Sequence, residues 1–256
     1  MQGKEGGTVP RDGLLRTKKE MVSLMYKKIL TFSYDDGVTQ DVRLIELLNK
    51  YGMKGTFNLN SGFLGLDGSL VREGVRVNHI KVRPQDVRHV YAGHEVAGHT
   101  LTHPFLPTTE EKEIIRQVEV DRLRLSEICG YEVVGFAYPG GGVNHDKRVA
   151  DIIRKNTGVR YCRHTDSSHS FDLQSDLFEF APTVYHHQEW DKLFELGEKF
   201  LALKTDKPQI FYVWGHAYEL DIHNTWRKFE EFLQMMATGK DITYATNREA
   251  LLGELF

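Results

Sequence analysis

Apolar residues along the chain alternate between short dense runs, the signature of buried strands, and longer stretches with helical spacing. A strand over 28–34 is followed by a helix carrying Leu44, Ile45, Leu47 and Leu48, which stops near Gly52, and by a second strand over 55–60. After a loop region, Pro84 opens a short helix, since proline is tolerated at a first helical position, and 94–97 reads as a third strand. Thr108 with Glu111 has the spacing of a capping box, Ile114, Ile115, Val118, Leu125 and Ile128 supply one apolar face, and Gly130 is a natural stop. The pattern continues with a strand over 133–138, a helix over 147–155, a strand over 159–163 and an extended piece over 178–184. A helix over 190–203, a strand over 209–214, a helix over 225–236 and a last strand over 242–245 complete it. Residues 1–26 are glycine-rich and charged without periodicity, and read as an N-terminal extension ahead of a single domain over 27–256.

Strands alternating with helices over 256 residues predict either a parallel-stranded barrel or an open doubly wound sheet. No glycine-rich dinucleotide fingerprint follows the first strand, which favours the barrel. A barrel places its active residues just beyond the C-terminal ends of strands. The four most unusual clusters fall there: 33–37 (Ser-Tyr-Asp-Asp-Gly), 98–104 (Gly-His-Thr-Leu-Thr-His-Pro), 136–142 (Phe-Ala-Tyr-Pro-Gly-Gly-Gly) and 214–216 (Trp-Gly-His).

A net charge of −3 with 27% charged residues offers no basic excess for nucleic acid. Cys129 and Cys162 are too few for a disulfide framework or a thiolate metal site, and fit a reducing compartment. Lys4, Glu5, Arg11, Arg16, Lys18, Lys19 and Glu20 interrupt any apolar signal core near the start, and no later window has the apolar length of a membrane span. The sequence as given therefore reads as cytoplasmic with no membrane partner, and as secreted should a leader precede it.

His99 and His103 would lie about 13 Å apart in an extended strand, too far to share an ion. Pro104 disfavours helix at His103, so the spacing predicts a compact turn that brings the two imidazoles to one point. Alone, such a pair among 12 histidines is weak evidence, and an Asp-Asp-Gly segment alone is simply a polar turn. Together, two histidines and one carboxylate leave open positions on a divalent ion, the arrangement of a catalytic site. A second carboxylate is then at hand to act as base.

The chain resembles the carbohydrate esterase family 4 polysaccharide deacetylases, the NodB homology family, over roughly 28–216. Residues 31–37 (Thr-Phe-Ser-Tyr-Asp-Asp-Gly) are similar to the family's first motif, and the resemblance implies Asp35 as catalytic base and Asp36 as metal ligand. Residues 93–104 are similar to the second motif, implying His99 and His103 as ligands, with His94 and Glu95 as support. The third cluster resembles the motif whose residue after the proline offers a backbone N–H to the oxyanion, here Gly140, with Tyr138 and Pro139 as groove walls. The family's arginine two residues before that proline is Ala137 here, and Arg163 at the end of the next strand is the candidate to hold the base or meet substrate, against a solvated charge as the alternative. His216 resembles the histidine that protonates the leaving group, with Trp214 as a groove wall or as core packing. Asn58, Asn60, His186 and His187 could touch sugar hydroxyls or shape the pocket.

The resemblance implies a distorted α/β barrel, TIM-like, of about seven strands, and a metal-dependent hydrolase that removes acetyl groups from N- or O-acetylated carbohydrate. Zinc is the default ion, and cobalt, nickel, iron and manganese suit the same donors. Hydrolysis of a non-sugar amide and an inactive carbohydrate-binding homologue remain the competing readings.

Overall fold

The computed structural model describes residues 27–254; the expected extension over 1–26 lies outside the described residues. Strand β1 (Lys28–Asp35) is buried at all eight positions and is the centre of the sheet. Along one edge it pairs in parallel with β9 (Gln209–Gly215), and its other edge is shared by β10 (Thr243–Tyr244) at Ile29 and Leu30 and β2 (Gly55–Leu59) from Phe32 onward. From β2 the sheet continues through β5 (Glu95–Gly98), β6 (Gly135–Ala137) and β7 (Tyr161–Arg163), and β8 (Val184–Tyr185) lies outside β9, giving the order β7-β6-β5-β2-β1-β9-β8. This is a curled sheet with seven strands on its main path, all parallel, as the alternating pattern predicts.

The predicted extended piece over 178–184 belongs to both ends of that path. Its start bonds β7, with the Cys162 amide donating to the carbonyl of Leu177, just before the piece, at 2.7 Å and the His164 amide to the Phe180 carbonyl at 3.1 Å. Its second half bonds β9, with the Thr183 and His186 amides donating to the Tyr212 and Trp214 carbonyls at 2.8 and 3.0 Å. One bent segment thus carries the sheet round from β7 to β9, which makes the architecture a distorted barrel in a single domain.

Side chains two apart on a strand share a face. On β1, Leu30, Phe32 and Tyr34 join the largest apolar cluster, with Leu44 and Leu48 of α1 (Asp41–Lys50) and Phe229 and Phe232 of α7 (Trp226–Met236). The opposite face carries Thr31, Ser33 and Asp35 into a polar interior. There Thr31 bonds Asn247, Asn58 donates to Ser33 at 2.9 Å, and Thr56 and Tyr161 donate to Glu95 at 2.8 and 3.0 Å. Burial of Glu95 pushes its carboxyl up to about 7, although these hydrogen bonds and Arg248 oppose the rise.

Two local expectations are corrected. The long helix α3 (Glu111–Cys129) starts from Glu110 with no side-chain cap, because Thr108 is already committed to a 3-10 turn (Leu106–Thr108) closed by Pro107; its end at Gly130, with φ +76°, is as expected. The loop region after β2 contains an antiparallel hairpin, β3 (Ser69–Arg72) and β4 (Val75–Asn78), turned at Glu73 and Gly74 with φ +53° and +77°. Three helices complete the connections before β9: α2 (Val87–Val90), α4 (Lys147–Asn156) and α5 (Trp190–Ala202). After β9 come α6 (Glu219–Ile222) and, following β10, α8 (Asn247–Leu252). Among the described residues no helix is long and apolar enough to cross a membrane.

Candidate active site

At the C-terminal end of β1 the chain turns sharply. Asp36 takes φ +84° and Gly37 φ +61°, and a side chain at 37 would place its Cβ 2.8 Å from Leu59 Cγ, so glycine is required. A residue with a Cβ disfavours the left-handed region by about 1–2 kcal/mol. Lys81 offsets that at Asp36, its ammonium donating to the Asp36 carbonyl at 2.6 Å and lying 3.4 Å from the carboxylate. The turn leaves Asp35 aimed into the barrel interior and Asp36 over its mouth.

The histidine pair sits on a clamped turn, as its spacing requires. Thr100 and His103 both lie at positive φ, +68° and +55°. Asn60 donates to the carbonyls of His99 and Thr100 at 2.5 and 3.0 Å, Asp121 accepts the His99 amide at 3.0 Å, and Gln117 holds the Leu101 and Thr102 amides at 3.0 Å each. His99 Nδ1 donates to the Ala137 carbonyl at 2.8 Å, which fixes the tautomer and leaves Nε2 with its lone pair.

One ligand atom from each of Asp36, His99 and His103 lies within 4.8 Å of the others. Burial opposes charge on Asp36, but the His79 hydrogen bond with Lys81, His216 and His99 outweighs it and holds the carboxyl well below its usual range. Burial pulls His99 down to about 4 and lowers His103. An ionised carboxylate and two neutral imidazoles are the protonation states that ligation of a divalent cation requires, so the three residues fit such an ion.

Asp35 lies 4.0 Å from His99 Nε2 and is held by three hydrogen bonds from two donor atoms. Arg163 Nη2 reaches both its oxygens at 2.6 and 2.5 Å, and Asn58 donates at 2.7 Å. Asp35 and Arg163 are 2% and 1% exposed, and the guanidinium stacks over Trp214 at 4.6 Å. Arg163 thus reaches Asp35 from β7, the strand beside the one that ends at Ala137. Being buried, it is placed beneath the cavity, not on its wall. Tyr138 is likewise buried, its hydroxyl donating to the Phe178 carbonyl at 2.8 Å, and Pro139 is buried beside it, so neither is a groove wall.

His216 lies across the mouth, with Nε2 4.0 Å from Asp36 and Nδ1 3.0 Å from Glu219. Burial disfavours the imidazolium, but Glu219, Asp36 and Asp35 overcome it and raise the pKa. Burial acts against Glu219's charge as well, yet His216, His186 and Arg72 bring its carboxyl down to about 2. Glu219 also accepts the His216 amide at 2.9 Å and the Tyr185 hydroxyl, and pairs with Arg72 at 3.1 Å. Sequence reasoning missed Glu219, Arg72, Lys81, His79 and Asp121. Only Glu219 left a signal, standing three residues after His216.

These groups open on a cavity of 470 Å³ lined by Asp35, Asp36, His99, His103, Gly140, Trp214 and His216, together with Arg72, Tyr185 and Asp166. Gly140 has φ +88°, and Asn144 fixes its loop by donating to the Tyr138 and Gly140 carbonyls at 2.9 and 3.0 Å. A second cavity of 480 Å³, with Phe63, Leu66 and Leu70 on its walls, meets the first at Asp36 and His103. Asn58 holds Asp35 and Asn60 the histidine turn, and His94 and Glu95 lie deeper, bonded to Gly55 and Thr56. His186 and His187 lie behind Glu219, off the cavity wall.

The polysaccharide deacetylase family profile matches residues 25–162. The peptidoglycan-N-acetylmuramic acid deacetylase PdaC of Bacillus subtilis is 24% identical over 142 residues, 54% of this chain and 27% of that protein, so the chain spans about a quarter of this relative. Among solved structures, a family 4 carbohydrate esterase from Streptomyces lividans in complex with acetate superposes over 86% of this chain and 93% of its own, with TM-score 0.52 at 14% identity. A family 4 pseudoenzyme from Bacillus anthracis covers 88% and 66%, with TM-score 0.53 at 18% identity. These structural likenesses carry the fold, and the profile match over more than half the chain carries the family: the chain belongs to the polysaccharide deacetylases, the NodB-like esterases of family 4.

Proposed function

We propose that the protein is a metal-dependent hydrolase that releases acetate from N- or O-acetylated carbohydrate. The observation that carries this reading is the convergence on one cavity of Asp36, His99 and His103, with Asp35 and His216 each 4.0 Å from a member of that trio. Asp36, His99 and His103 would hold a divalent cation, zinc or another first-row ion, which would supply Lewis-acid polarisation of the acetyl carbonyl and would lower the pKa of a water from 15.7 toward about 7. Asp35, fixed by Arg163 and Asn58, takes the proton of the attacking water. The Gly140 amide receives the developing oxyanion, a contribution of about 2.7–4 kcal/mol where such a donor has been removed from a protease. His216, kept protonated by Glu219, delivers its proton to the departing amine or hydroxyl. Trp214 forms a wall for the sugar.

The complete Asp35, Asp36, His99, His103 and His216 set supports turnover over a role as a carbohydrate-binding homologue. Acetate release from acetylated gluco- and xylo-oligosaccharides, with small cyclic amides in parallel, tests the reading. Turnover of the sugars that disappears in Asp35→Asn is expected; turnover of the cyclic amides alone overturns the carbohydrate assignment, and sugar binding without acetate overturns the enzyme.

A further inference from the structure

Behind the catalytic histidine lies a second cluster of ligating side chains that the proposed reaction does not use. His186 and His187 follow β8, and Glu219 opens α6; one ligand atom from each lies within 4.8 Å of the others, and all three residues are buried. His187 Nε2 donates to Glu73 Oε1 at 2.7 Å. A carboxylate only accepts, so neutral His187 carries its proton on Nε2, and its buried Nδ1, which has no partner, presents a bare lone pair. His186 Nδ1 lies 3.2 Å from the Tyr34 hydroxyl, which can accept its proton, and its Nε2 is likewise buried without a partner. That atom is 3.7 Å from Glu219 Oε2, too long for a hydrogen bond. It is close to the separation of about 3.4 Å between two ligands on a tetrahedral ion with bonds near 2.1 Å.

The fold makes room for this arrangement. A Cβ on Gly215 would sit 2.2 Å from His186 Nδ1, so the absence of a side chain on β9 is what admits the imidazole. Glu219 Oε2 accepts a single hydrogen bond, from the His216 amide, and keeps a lone pair. The hydrogen bond from His187 to Glu73 is the outer partner that ligating histidines usually have. Glu219 and Glu73 supply two carboxylates to the cluster, alongside the guanidinium of Arg72 and the imidazole of His216.

We propose that His186 Nε2, His187 Nδ1 and Glu219 form a second site for a divalent transition-metal cation, zinc or cobalt in class, separate from the Asp36 centre. It would tie the end of β8 to the start of α6, directly behind the residue that positions His216. The proposal does not depend on the reaction assigned to the cavity, because its readout is the number and place of bound ions.

Equilibrium dialysis of the full chain against Zn²⁺, with metal analysis, should give two ions per chain. The His99→Ala/His103→Ala variant should retain one, and His187→Ala should lose one while keeping that at Asp36. Anomalous scattering from zinc-loaded crystals of the unaltered chain should then show a peak between His186 and His187, a result that stands even if a variant misfolds. A single peak at Asp36, a water bridging the two rings, or a second ion at surface histidines overturns the proposal.

Discussion

Replacing Arg163 by methionine removes the cation from the most deeply buried ion pair at the site. Both partners are at most 2% exposed, and one guanidinium nitrogen serves both Asp35 oxygens at 2.6 and 2.5 Å. An exposed pair would contribute about 0–1 kcal/mol, whereas removing one member of a buried pair strands a charge and costs about 3–5 kcal/mol. Asn58 still donates to Asp35 at 2.7 Å, and methionine refills the volume against Trp214, so about 4 kcal/mol is the expected loss. For a chain of this size each kcal/mol moves Tm by about 2–4 °C, giving a fall of about 8–16 °C. The Asp35→Asn/Arg163→Met double variant removes both charges and should recover most of that loss. Calorimetric melts of the two variants and the parent decide the matter. A fall in Tm below about 3 °C, or a double variant no more stable than the single one, refutes the claim that Arg163 neutralises the base.

Glu219→Gln removes the carboxylate that raises the His216 pKa. The alkaline limb of kcat/KM should shift to lower pH with activity best preserved on the acid side, and an equal loss at every pH contradicts the assignment of His216 as acid. Glu219's folded pKa is depressed to about 2, so its stabilisation is present above the unfolded value near 4.5 and is lost as pH falls toward 2. Urea midpoints between pH 5 and 2 should decline less steeply in Glu219→Gln than in the parent. Gly140→Ala puts a Cβ on a residue at φ +88° and shifts its amide, so kcat should drop about 10²-fold with little change in KM; an unchanged kcat removes Gly140 from the oxyanion site.

Most of the fold is legible because strand and helix periods alternate cleanly, and elements such as β1, α3 and β9 carry dense apolar patterns. The hairpin at 69–78 escaped because its strands are only four residues each, and the apolar face they turn to the core amounts to Leu70, Val75 and Val77 between exposed polar positions. Thr108 shows the limit of a spacing rule: the proline beside it bends the chain before the helix starts, so the cap geometry never forms. At the site, the approach of Asp36, His99 and His103 to one another was readable from residue type and strand-end position. Residues that set its electrostatics were not, since Glu219, Arg72 and Lys81 reach it only through tertiary approach. Arg163 drew attention through the gap at Ala137, and its burial against Asp35 separates pairing with that carboxylate from lining the cavity.

The central claim is that Asp36, His99 and His103 hold one cation that turnover requires. Acetate release by metal-stripped protein, followed as Co²⁺ is returned, tests it in the parent and in His103→Ala. The account predicts no release without metal, recovery in the parent on metal return, and no recovery in the variant. Release that survives complete stripping, or recovery in His103→Ala equal to that of the parent, would contradict it.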